Sequence, residues 1–485
     1  MKRPGVFTFL LLAISFLLLF SACQNQGQSI GVNSSGSTAP GSPGSASQES
    51  ENPNEITMAV FFPVVSHLDK AAKLYEEKTG ISVNIKKSWE MPEWEEFEVI
   101  DKWGVPSTEA ILLNPSDTSV YTEQALASLM TGRGADIYDV RSMDFEHLGM
   151  NGLLINMSDW LENDAELSDD LVFRDILLSG KTADGIFAVP VDFAFRKLAA
   201  VTADEPVLGN KRMTWQEFIG EVSELEYTQD IAYRLTDLDI FMERFVSRAS
   251  FFIDENGNSQ ILYSDEMISL LEECRDWSSA GLCKGYGDPA SWASSYSYGA
   301  SFITYRPAEA LCTLPEGFGR SSLCFAPMLF DGDPVVKDGK PLYPELNDGL
   351  SIYGVNAGSA KTEVALDFLR FLLSKEGQNK MWLKDGTGGF ALPLNRSVFR
   401  NMVESDLERI QTSVNASNTF EIDIPSLIKE AEGTVDQIAY IIYQKPYYNT
   451  IIREVAKQFF LDQISAEEAA RQMSDKVGLY LKEQG

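Results

Sequence analysis

The stretch Asp348–Met381, DGLSIYGVNAGSAKTEVALDFLRFLLSKEGQNKM, constrains the fold of this chain more than any other. Leu350–Val355 is a short apolar run with strand character. Asn356, Gly358 and Ser359 then break the pattern. Ser359 is placed to cap the helix that follows, because its hydroxyl can accept from an orphan backbone N–H. Thr362 stands where a full capping box needs Glu or Gln. Val364, Ala365, Phe368, Leu369, Leu372 and Leu373 recur at helical spacing and predict one apolar face. Gly377 stands where that helix is expected to stop. A strand feeding an amphipathic helix is a building unit of α/β folds.

A second unit of the same kind opens the folded part of the chain. Glu55–Pro63 (EITMAVFFP) reads as a buried strand, and Ile81–Ile85 reads as an alternating one. Between them Leu68–Thr79 reads as a helix with Leu68, Ala71, Ala72 and Tyr75 on one face, ended by Gly80. Strand, helix and strand at that spacing predict a βαβ unit and a parallel sheet. Tyr121–Met130 reads as a further helix, and Thr214 with Glu217 forms a capping box. Near the C-terminus Ser465 with Glu468 starts a helix whose apolar face is Ala466, Ala470, Met473, Val477 and Leu481. With 485 residues the chain predicts two or more lobes rather than one core.

The formal charge of −31 disfavours nucleic acid and anionic membrane surfaces as partners. His67 and His147 are the two histidines, too few for a multi-His metal site, and a His-based triad is not expected. Asp254–Asn258 resembles a calcium loop, but Ser259 occupies the position where an EF-hand needs glycine, so a hairpin turn is the better reading. No metal and no cofactor are expected. Cys274, Cys283, Cys312 and Cys324 match no zinc spacing. The local pairing Cys274–Cys283 and Cys312–Cys324 is one of three, and buried thiols are the alternative. Trp89, Trp94, Phe97 and Trp103 lie among acids and fit either a sugar site or packing, with packing favoured because large aromatics dominate cores.

The N-terminus reads as an address. Lys2 and Arg3 precede an apolar run, Val6–Phe20, that ends in Leu19-Phe20-Ser21-Ala22-Cys23. A basic start, a short apolar stretch and small residues predict a secretory signal over 1–22 rather than a spanning helix. The cysteine after Leu-x-Ser-Ala resembles a bacterial lipobox, which implies cleavage before Cys23 and a lipid on its sulfur. Residues 23–54 hold little to bury and are expected to be a disordered tether with a reach of roughly 30 Å. Such a chain would sit at the outer face of the cytoplasmic membrane, held by its lipid anchor.

Several segments together resemble one family. They are Tyr75–Val83, Gly132–Val140 (with Ala135 where the family has Pro), Asn151–Leu161, Asp184–Pro190, Met213–Phe218, Ala365–Gln378, Gly388–Asn395 and Ile464–Ala470. In this order they are similar to extracellular solute-binding proteins of family 1, the maltose-binding-protein group. The resemblance implies an α/β, two-lobed periplasmic-binding-protein-like (class II) fold with crossings near 180–190, 300–312 and 348–358. Lobe 1 would be 55–183 plus about 308–355, and lobe 2 would be 184–307 plus about 356–485. It implies ligand-facing residues by position: Arg141 and Asp144 with Ser142 and Met143 between them, Asp192 and Phe193 after Pro190, and Tyr447 and Tyr448. Trp292, Tyr305 and Arg306 belong to an aromatic stretch that fits a ligand loop or an ordinary strand equally. Leu198–Val201 departs from the family's aromatic strand and puts the particular ligand in question. The implied function is capture of a sugar, an oligosaccharide or an acidic one, given Arg141, Arg244 and Arg306. A monomer would close on the ligand and deliver it to an ABC-transporter permease, with no chemistry. The alternatives are another solute, or a surface glycoside hydrolase.

Overall fold

The computed structural model describes residues 54–61, 68–87, 94–100, 106–112, 118–132, 134–193, 199–200, 212–217, 236–248, 262–283, 324–325, 328–330, 335–337, 340–347, 351–381, 392–415, 422–443 and 446–484, with single positions 220, 252, 285 and 286. Strand β1 (Glu55–Val60) buries Ile56, Met58 and Val60 alternately. Helix α1 (Leu68–Thr79) buries the four residues its spacing predicts, and strand β2 (Ser82–Lys87) pairs with β1 in parallel. Gly80, at φ 74, ends α1, a conformation glycine adopts without strain. Strands β3 (Trp94–Ile100) and β4 (Pro106–Leu112) form an antiparallel pair. Helix α2 (Thr118–Met130) leads to strand β5 (Ile137–Asp139), which joins the other side of β1 in parallel. Short helices α3 (Phe145–Met150), α4 (Ser158–Asn163) and α5 (Arg174–Leu177) follow, then strands β6 (Val189–Pro190) and β7 (Asp192–Phe193).

The middle of the chain supplies strands β8 (Ala199–Ala200) and β9 (Arg212–Thr214), helices α6 (Asp237–Ser247) and α7 (Asp265–Ser279), and strands β10 (Cys324–Phe325), β11 (Met328–Phe330), β12 (Val335–Lys337) and β13 (Lys340–Asn347). Strand β14 (Ile352–Val355) then enters the first sheet, whose order is β2-β1-β5-β14-β6. It runs antiparallel to β5 and β6, and all four of its residues are buried. The chain closes with helices α8 (Thr362–Leu373) and α9 (Lys375–Met381), strand β15 (Leu392–Pro393), helices α10 (Arg396–Asn415) and α11 (Ile424–Val435), strand β16 (Ile438–Tyr443), and helices α12 (Pro446–Phe460) and α13 (Ala466–Gln484).

Helix α8 presents the expected face, with Ala365, Phe368, Leu369, Leu372 and Leu373 fully buried. Each large apolar side chain buried this way contributes about 1.5–3 kcal/mol. Two local expectations change. The Ser359 hydroxyl accepts from Lys361 N–H at 2.9 Å, but α8 starts at Thr362 with Lys361 as an N-cap that makes no side-chain bond. Ser359 serves instead as a tie to β5's entry, donating to Asp136 Oδ1. Gly377 does not stop a helix. The break is at Ser374, whose hydroxyl accepts from Gly377 N–H at 3.1 Å and caps α9. Glycine is required at 377 because a Cβ there would meet the Phe371 carbonyl oxygen at 2.0 Å.

The apolar interior is divided, and the division falls elsewhere than the 183/184 and 355/356 boundaries. One core joins β1, α1, β6, β7, β14, α8, β15, α10, α11 and the first half of β16. Ile186, Val189, Val191 and Phe193 lie in it, as do Phe368 and Phe399, so 184–193 and 362–441 pack with the N-terminal sheet. The cause is α1. Tyr75 meets the Phe368 ring edge-on at 5.0 Å and donates its hydroxyl to Asp367 at 2.8 Å. Gln378, fully buried, bonds Val191 O (2.7 Å) and Asn395 N–H (2.9 Å) and holds α9 to the same core. A second core joins Trp215, α6, α7, α12 and α13. Strand β16 stands between the two, with Ile441 in the first core and the adjacent Ile442 packed on the second. The chain therefore leaves the first core after Phe193, re-enters it at β14, and leaves again from β16 into α12. The crossing expected near 300–312 lies outside the described residues.

Candidate functional site

The sheet order puts β2 and β5 on opposite sides of β1, all three parallel. Connections that part to opposite sides leave a crevice at the carboxyl ends of such strands. The residues there are Phe61 after β1, and Asp139 and Arg141 at the end of β5.

Asp139, buried completely, collects the donors around it. Its carboxylate accepts Phe61 N–H (3.4 Å), Arg141 N–H (3.2 Å) and Arg141 Nε (3.1 and 3.0 Å), and pairs with Arg141 Nη2. Its carbonyl oxygen accepts the Tyr121 hydroxyl at 2.7 Å. The Arg141 guanidinium sits 5.8 Å from the centroid of the Phe61 ring, which leans on Tyr121 at 5.6 Å. Burial works against the Arg141 charge, but the Asp139 carboxylate outweighs it and holds Arg141 protonated. The Arg141 side chain is 17% exposed, and Asp139 fixes the plane of its guanidinium. Thr122 and Ser142 hydroxyls meet at 2.8 Å beside this pair.

Asp192 supplies the second carboxyl. Burial pushes its pKa up to about 7 against the opposing bonds from the Ser351 hydroxyl and N–H and the nearby Arg141 charge. Its Oδ1 is buried without a hydrogen-bond partner, as is the Tyr443 hydroxyl. Burial likewise holds Tyr353 and Tyr443 protonated, with Asp192 adding to both effects. Asp144 is committed locally, accepting His147 N–H at 3.2 Å as the N-cap of α3. Its charge also reaches Tyr480 of α13, whose pKa burial and Asp144 push up to about 12.

Other expected residues fall differently. Phe193 is not a ligand-facing ring, because β7 turns it into the first core, edge-on to Phe173 at 5.9 Å. Tyr448 packs in the second core, since it lies on the buried side of α12. Cys274 and Cys283 are buried free thiols rather than a disulfide. Burial pushes the Cys274 thiol up to about 12 despite an Arg244 N–H directed at its sulfur from 3.9 Å. Arg244 itself is buried, paired with Glu273 at 2.8 Å and 4.8 Å over the Trp277 ring, which commits it to packing. Trp292, Tyr305, Arg306, Cys312 and Cys23 lie outside the described residues, as do the side chains of Tyr447 and Cys324. Asp139, Ser351, Tyr353 and Tyr443 were not anticipated. The available signal was a polar residue in each otherwise apolar buried strand or at its edge. Among the described residues no group of three or more His, Cys, Asp or Glu could hold a metal. An open groove of about 510 Å³ lies between α1 and β2, lined by Asp69, Lys73, Glu76 and Lys87.

No protein-family model matches the sequence, and no curated protein matches it. Solved structures do match the fold. An extracellular solute-binding protein of family 1 from Alicyclobacillus acidocaldarius superposes with a TM-score of 0.51 at 13% identity, covering 88% of this chain and 98% of that one. A cyclic alpha-maltosyl-1,6-maltose binding protein from Arthrobacter globiformis gives 0.50 at 14% identity, covering 89% and 100%. A de novo designed esterase improved by directed evolution gives 0.53 at 12% identity, covering 89% and 99%. At these identities the likeness concerns the fold, and the chain has the α/β, two-lobed fold of the extracellular solute-binding proteins of family 1.

Proposed function

We propose that this protein captures a carbohydrate between its two core regions and passes it to the permease of an ABC importer, while tethered to the outer face of the membrane by a lipid on Cys23. The observation that carries the reading is the Asp139–Arg141 pair at the strand ends, walled by Phe61 and Tyr121. A guanidinium whose plane is fixed by a carboxylate suits vicinal hydroxyls. Neighbours of the same fold that bind maltose-type sugars support carbohydrate over other solutes. The lipobox and tether support the membrane location.

A ligand that binds only the folded state raises its stability, by about 2.7 kcal/mol at a hundredfold excess over Kd. Thermal unfolding of the chain from residue 55 onward, against neutral and acidic mono- and oligosaccharides, is expected to show a raised Tm with one sugar class and no product. A shift only with peptides or cations would keep the fold and overturn the ligand.

One observation favours a second reading. Asp139 and Asp192 are two buried carboxyls in one crevice, and Asp192 titrates near neutrality, as a general acid would. Release of reducing sugar from an oligosaccharide that binds would identify a hydrolase.

A further inference from the structure

Among the described residues, three places where the chain passes between the first and second cores are each marked by a polar residue with a buried polar atom. Asp192 is in β7, the last strand before the chain leaves the first core. Ser351 is buried where the chain re-enters, one residue before β14. Tyr443 ends β16, from which the chain leaves again into α12. Ser351 gives Asp192 both its hydroxyl and its N–H, which accounts for one carboxyl oxygen. Asp192 Oδ1 and the Tyr443 hydroxyl remain buried and unpartnered. An unpartnered buried polar group is costly, and an ionised one far more so.

We propose that Asp192, Ser351 and Tyr443 form a proton-controlled latch across the crossing strands, tight while Asp192 is neutral and loosened when it ionises. The inference rests on the capture reading, in which the two core regions move relative to each other on binding. With the proton on, the free oxygen of Asp192 is a neutral hydroxyl, which this arrangement tolerates and which in the proposed latch donates to the Tyr443 oxygen. When the proton leaves to solvent, the carboxylate retains one oxygen with no donor in an apolar surround. The arrangement described then loses ground to any in which water or a ligand hydroxyl reaches that oxygen. The groups facing Asp192 are Arg141 and Asp139 from the β5 end, Ser351 and Tyr353 from β14, and Tyr443 from β16, with Glu146 of α3 behind Tyr443. Arg141 opposes the opening and is already matched by Asp139, so it does not neutralise Asp192 as well. Burial raises Asp192 to about 7, within reach of the pH outside a cell.

Amide hydrogen exchange of the ligand-free protein, corrected for intrinsic rates, reads the latch at 189–193, 351–355 and 438–443. From pH 5.5 to 8.5 protection of these segments is expected to fall about tenfold with a midpoint near 7, one pKa unit of coupling being a factor of ten. Asp192→Asn is expected to abolish the pH dependence. Tyr443→Phe, which keeps the packing, is expected to move the midpoint down by removing the partner of the neutral form. Protection that does not depend on pH in the wild type, a transition that persists in Asp192→Asn, or an unmoved midpoint in Tyr443→Phe each overturns the latch. Should Asp192→Asn not fold, the wild-type and Tyr443→Phe profiles still decide it. A flat profile together with a sugar-induced rise in Tm removes the latch and leaves capture standing; a pH transition with no sugar response does the reverse.

Discussion

At the scale of single residues, the site is governed by how buried charges are matched. Asp139 has no exposure, and Arg141 supplies most of the donors to its carboxylate. Removing one partner of a buried pair costs about 3–5 kcal/mol, because the other charge stays behind without compensation. Arg141→Ala is therefore expected to lower stability by about that amount in denaturant unfolding, whereas Arg141→Lys should recover only part of it, since an ammonium lacks the planar fork. An Arg141→Ala protein as stable as wild type would mean that water already solvates Asp139. Asp192 acts in the opposite sense. Its pKa is raised from 3.8 to about 7, so the folded state holds a proton that the unfolded chain releases. Its share of stability is full below the unfolded value and is lost as pH rises through the folded one. Asp192→Asn removes that loss, so the Tm of the variant relative to wild type is expected to rise between pH 5 and pH 8. A difference that is constant with pH would show that Asp192 is ionised throughout.

At the scale of elements, packing decides what periodicity leaves open. The spacing of Ala365, Phe368, Leu369, Leu372 and Leu373 revealed a buried helical face, and the β1-α1-β2 unit was legible down to its buried residues. Neither pattern says which neighbour a face meets. Helix α8 packs on α1 through Tyr75, a contact 292 residues apart in sequence when measured to Asp367, and that contact moved 362–441 into the first core. The family position after Pro190 points Phe193 to a ligand, whereas packing turns it into the first core, and a two-residue strand offers no alternation to reveal this. Arg141 is put forward by its position after a strand that resembles the family's, while its orienting partner Asp139, inside that strand, carries no such signal. The break at Ser374 was missed because glycine usually marks a helix end, whereas Gly377 is there for want of space. Gly377→Ala is expected to destabilise by about 1–3 kcal/mol, as overpacking does, although alanine ordinarily favours a helix. A stabilised Gly377→Ala protein would contradict the close approach to Phe371.

At the scale of the whole molecule, the described residues form three apolar clusters, the third packing Phe61, α2 and α3 beside the first sheet, and the polar cluster lies where the chain leaves and re-enters the first core. In the proposed capture function, ligand contacts to both core regions would exist only in the closed state, and such differential affinity is what lets a ligand shift a conformational equilibrium. Titration calorimetry of the sugar that raises Tm, on the wild type and on Arg141→Ala, tests this account most directly. The expected result is single-site binding to the wild type with no continuing heat of turnover, and binding to Arg141→Ala at least about tenfold weaker, the equivalent of roughly 1.4 kcal/mol. Equal affinity in the two proteins, or a steady heat of reaction, would contradict capture at this crevice.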